Sequence, residues 1–119
     1  MEKARLPRFG RFAEGGNRPA AGQECIQELL AAPGGGRVER ILSRGAASPD
    51  GFWYEQEWDE FVLVLSGAAV LAFPDAGEHR LEAGDYAVLP ALCRHRVAWT
   101  DPEQETVWLA VHLPGAQPG

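Results

Sequence analysis

Turn residues cut this 119-residue chain into short pieces, and that punctuation favours β-structure over helices. Ser48-Pro49-Asp50-Gly51, Ser66-Gly67, Pro74-Asp75-Ala76-Gly77, Glu82-Ala83-Gly84-Asp85 and Pro90 separate the apolar segments. The segments run Arg37 to Arg44, Gly51 to Leu65, Ala68 to Phe73, Glu78 to Leu81, Tyr86 to Leu89, Arg94 to Trp99 and Thr106 to Leu113. Six to eight short strands at this spacing predict an all-β sandwich or barrel. A chain of this length supports one domain with a single core and no staples.

The longest piece, Gly51 to Gly67, sets Tyr54, Gln56 and Glu60 ahead of the apolar run Phe61 to Leu65. A regular strand carries Tyr54, Gln56, Glu60, Val62 and Val64 on one face. A carboxylate on the same face as two core valines is costly unless a partner satisfies it, so Glu60 marks a candidate site. The opposite face, Phe61, Leu63 and Leu65, is apolar as well. So are Val107, Leu109 and Val111, opposite His112 in the last strand. Apolar residues on both faces predict a covered outer surface, and a two-fold homodimer is the commonest cover.

Gln23 to Ala32 places Ile26, Leu29 and Leu30 at helical spacing, with Pro33 and Gly34-Gly35-Gly36 behind them. One short N-terminal helix is expected there. Residues 1–22 carry Lys3, Arg5, Arg8, Arg11 and Arg18 against Glu2 and Glu14, with no apolar periodicity. They read as a flexible arm before a single domain at 23–119, either loose or laid across the acidic body. The net charge of −6 argues against nucleic acid and anionic lipid as partners. No apolar run approaches the roughly 20 residues that a membrane-spanning helix needs. Without an apolar leader, and with Cys25 and Cys93 in no metal-spacing motif, the expectation is a cytoplasmic protein with reduced thiols.

Two sets of positions carry a family resemblance. Glu60, six residues and Gly67 resemble the second half of the first conserved motif of the cupin superfamily. Gly84, five residues, Pro90 and then His95 resemble the second motif, with Leu92 at its glycine position and Trp99 at its asparagine position. The resemblance covers roughly residues 37 to 113. It implies a double-stranded β-helix jelly roll, often dimeric, with a pocket inside the barrel. It also implies where a metal would sit: the four ligand positions of metal-holding cupins fall on Tyr54, Gln56, Glu60 and His95. The ion would be one divalent transition metal (Fe, Mn, Ni or Zn). It can be absent, because Tyr54 and Gln56 replace two histidines and are much weaker ligands. His112 is a further candidate ligand if its strand lies beside the site, and Val62, Trp99 and His112 are expected to line the pocket.

Other readings of these residues stand beside the metal. Glu60 can sit in a satisfied polar network with Tyr54, Gln56 or an arginine, and His95 can pair with Glu60 directly. The four tryptophans can be core or interface filler. No phosphate loop, nucleophile elbow or C-x-x-C is present. Three functions stay open: a small barrel binding a metal ion or small molecule, a metal-dependent enzyme of dioxygenase or isomerase type, and a metal-free binding or sensing module.

Overall fold

The computed structural model describes residues 6–114. Eight strands follow in order: β1 (Gln23–Ala31), β2 (Arg37–Arg44), β3 (Asp59–Ser66), β4 (Ala68–Phe73), β5 (Gly77–Glu82), β6 (Tyr86–Leu89), β7 (Arg96–Thr100) and β8 (Thr106–Leu113). They build two antiparallel sheets, β1-β2-β8-β3-β6 and β5-β4-β7, that close into a double-stranded β-helix jelly roll. Period-two alternation decides the interior. β3 turns Glu60, Val62 and Val64 inward, and β8 does the same with Trp108, Ala110 and His112. These valines join Ala69, Leu71, Leu81, Leu89, Trp108 and Ala110 in one core. Sealed side chains such as Val64 contribute roughly 1.5–3 kcal/mol each.

The expected helix at Gln23–Ala32 is a strand. β1 pairs antiparallel with β2, and a register shift between Glu28 and Leu30 leaves Leu29 as a bulge. That bulge lets Ile26, Leu29 and Leu30 fit a strand despite their helical spacing. Pro33 to Gly36 turns a hairpin instead of stopping a helix: Ala32 N donates to Gly36 O at 2.7 Å. Ten residues make a marginal helix alone, whereas the edge of β2 offers them a full ladder. Among the described residues there is no helix, hence none long and apolar enough to cross a membrane. β2 lies between β1 and β8, in regular register with β8, with apolar residues on both faces.

The strand expected over Gly51 to Leu65 is also shorter. Only Asp59–Ser66 forms a ladder, and residues 51–58 lead in as a loop. Tyr54 is fixed there by an isolated bridge to His95, N to O at 2.7 and 3.1 Å.

The segment before β1 lies against the outer side of β1 and β2. Arg40, nearly sealed from solvent, donates from Nη1 to the carbonyls of Phe12 and Glu14, both at 3.1 Å. Arg8 donates to Leu29 O at 3.1 Å, and Arg18 lies 3.7 Å from the Glu105 carboxylate. The expected arm's residues 1–5 fall outside the described residues.

Candidate functional site

Between the sheets lies a cavity of about 240 Å³. Tyr54, Gln56, Glu60, Val62, His95 and His112, all expected from the sequence, line it. Trp99 does not. β7 carries a bulge where Val70 pairs with Trp99 but Leu71 pairs with Val97. The extra residue, Ala98, reverses the alternation, so Val97 enters the cavity wall and Trp99 turns outward under the Arg80 guanidinium, 5.2 Å from its ring centroid.

Glu60 and His95 are both more than nine-tenths buried and share this wall without a hydrogen bond between them. The Gln56 side-chain amide donates to Glu60 Oε1 at 2.9 Å. Burial, and then the Glu39 carboxylate, push the Glu60 carboxyl up to about 7, with Arg37 pulling the other way. His95 Nδ1 lies 3.0 Å from Cys93 O. A carbonyl only accepts, so Nδ1 carries the proton, and in the neutral ring Nε2 presents a lone pair. The Tyr54 ring stacks on this imidazole, centroids 5.6 Å apart and planes at 26°.

His112 sits differently. Trp58 Nε1–H, which can only donate, reaches His112 Nδ1 at 2.9 Å. The ring proton is therefore on Nε2, which donates to Glu39 Oε1 at 2.9 Å. Burial holds the His112 imidazole below its ordinary range, opposed by its bond to Glu39. With His112 neutral, its 3.8 Å approach to Glu60 Oε2 is not an ion pair. Arg37 closes the group: its Nε lies 3.2 Å from Glu39 Oε2, and its guanidinium covers the Trp58 ring at 5.4 Å.

This donor set does not fit a transition metal. Both nitrogens of His112 are engaged, and an amide and a phenol stand at two imidazole positions. Among the described residues no three His, Cys, Asp or Glu side chains gather as a metal-holding group.

Sequence reasoning missed Arg37, Glu39, Ile41 and Ser43, although their alternation along β2 places them on one face. It missed Glu24 because β1 was read as helix. Nothing in the chain marks Trp58 as the partner of His112, since 54 residues separate them.

A family model described as the cupin domain matches residues 39–112. Among solved structures, a protein from Ralstonia eutropha JMP134, named as a proposed mannose-6-phosphate isomerase, is 44% identical. The match covers 92% of this chain and 100% of that one, with a TM-score of 0.84. The polyketide cyclase RemF from Streptomyces resistomycificus matches at 23% identity and TM-score 0.68, over 90% of this chain and 78% of its own. A cupin superfamily protein from Desulfitobacterium hafniense DCB-2 matches at 19% and 0.67, over 82% and 84%. The last two show a shared fold. No curated protein matches the chain.

Proposed function

The chain belongs to the cupin domain family, and from that premise we propose that it binds a small organic molecule inside the barrel, without a metal ion, using Glu60 and His95 as its polar contacts. One observation carries the reading. A buried carboxyl that titrates near neutrality and an imidazole Nε2 without a protein partner face the same cavity, whose other walls are largely apolar. A screen of small organic molecules by thermal shift tests it. A ligand at a hundredfold its Kd stabilises the chain by about 2.7 kcal/mol, and Glu60→Ala and His95→Ala are expected to abolish that gain. Stabilisation that survives both substitutions, or one equivalent of Fe, Mn, Ni or Zn retained after loading, would overturn the reading.

A second reading, an isomerase working by proton transfer, draws on the same pair. A neutral Glu60 carboxyl is an acid and His95 Nε2 a base, and both reach one bound molecule. The 44% identical neighbour carries the name of a proposed isomerase, which supports this class without fixing a substrate.

The outward face of β3, β6 and β8 supports a homodimer. Tyr86, Val88, Leu65 and Leu113 are exposed beside the half-buried Phe61, Leu63, Leu109 and Val111, making one apolar face. Cys25 and Cys93 are both free thiols, which suits a reducing compartment such as the cytoplasm.

A further inference from the structure

Resting on the pocket reading above, we propose that the molecule the cavity takes is an organic cation, a protonated amine on a hydrocarbon body. The wall is rich in acceptors. Glu24 from β1, Glu39 from β2 and Glu60 from β3 bring three carboxyl groups to it. Glu24 is exposed, and among the described residues it has no ion-pair partner. His95, more than nine-tenths buried, adds an Nε2 lone pair that no protein donor satisfies.

Two of the donors already face carboxyl groups. Arg37 Nε is on Glu39 at 3.2 Å, and Gln56 Nε2 is on Glu60 at 2.9 Å. Acceptors that face the cavity take donors from whatever fills it, so a ligand that supplies donors is favoured. An ammonium carries three donors and no acceptor.

Charge selects in the same direction. Glu24 and Glu39, joined by Glu60 once it releases its proton, stand against one guanidinium that is itself paired, which disfavours a phosphate or a carboxylate. The remaining wall, with Ile41, Val62, Leu71, Val97 and Trp108, suits hydrocarbon. A space of about 240 Å³ is far larger than a bare ion needs. Both His112 nitrogens are also closed to a metal.

Three probes on one frame test the proposal with the full chain: benzylamine as its ammonium, benzyl alcohol and benzoate, titrated by calorimetry and ligand-observed NMR. Benzylammonium is expected to bind about tenfold more tightly than the alcohol, since hydrogen bonds to charged groups are the stronger kind, with benzoate weakest. The exposed Glu24→Gln is expected to lower amine affinity several-fold and leave the alcohol unchanged, and Glu60→Gln to lower amine affinity several-fold. Alcohol or benzoate binding as tightly as the amine would overturn the cation while sparing the pocket reading. Absence of binding by all three probes, with no ligand found in the screen, would overturn both. Zinc or manganese displacing the amine at one equivalent would replace the organic cation with a metal.

Discussion

Burial and the Glu39 carboxylate raise Glu60 from an ordinary 4.5 to about 7, and a displacement of that kind is also a statement about stability. Below 4.5 the folded and unfolded chains both hold the proton. Between 4.5 and about 7 the unfolded chain releases it and the folded chain keeps it, so stability falls as pH rises through this window. The full loss is on the order of 3 kcal/mol. His112 acts in the opposite sense: its imidazole is held below 6.5, so stability falls as acid charges the unfolded ring first. Glu60→Gln isolates the first effect. The variant's stability relative to the native chain is expected to climb by on the order of 3 kcal/mol from pH about 4 to about 8, read by urea unfolding. A difference that stays flat across that range would contradict the buried, proton-holding carboxyl.

Two turns hold the site's strands, and each depends on one residue in the left-handed region. Gly67, between β3 and β4, has φ +88°, and a Cβ there would stand 2.5 Å from Thr106 Oγ1 and 2.6 Å from Thr106 Cα. The same hydroxyl exchanges hydrogen bonds with Ala68, accepting from its N at 3.2 Å and donating to its O at 3.0 Å. Gly67→Ala therefore strains the backbone and forces β4 away from β8, with an expected loss of at least 2–3 kcal/mol, roughly, in the unfolding free energy. Leu92 occupies the second such turn at φ 67°, where the family motif has glycine. Its N donates to Gln56 O at 2.6 Å, tying the loop that bears His95 to the one that bears Gln56. Leu92→Gly removes a conformational cost of about 1 kcal/mol and restores a similar unfolded-chain entropy, so its stability is expected to stay near the native value. Equal losses in the two variants would show that turn geometry is not what separates them.

At the scale of the whole molecule the proposed homodimer rests on the outer face of the five-stranded sheet. Tyr86 and Val88 are each 61% exposed, and the Tyr86 ring stacks on Phe61 with centroids 5.5 Å apart. Light scattering on the native chain is expected to give twice the 12.9 kDa chain mass, and Val88→Asp a single chain. A native chain that stays single at micromolar concentration would contradict the dimer. Much of this architecture was legible in residue order. Alternation from Asp59 to Ser66 and from Thr106 to Leu113 fixed which side chains point inward, because period two admits no other choice once one face is a core. Turn residues fixed where most strands end, and the spacing of Glu60, Gly67, Gly84, Pro90 and His95 fixed the fold family. The tertiary structure decided what local pattern leaves open. A bulge at Leu29 made a strand of an apparent helix, and a second at Ala98 turned Trp99 out of the pocket. Pairing across 54 and 73 residues set His112 between Trp58 and Glu39. One inserted residue reverses every side chain beyond it, and contacts at such separations exist only after the sheets have closed; neither leaves a periodic trace in the chain.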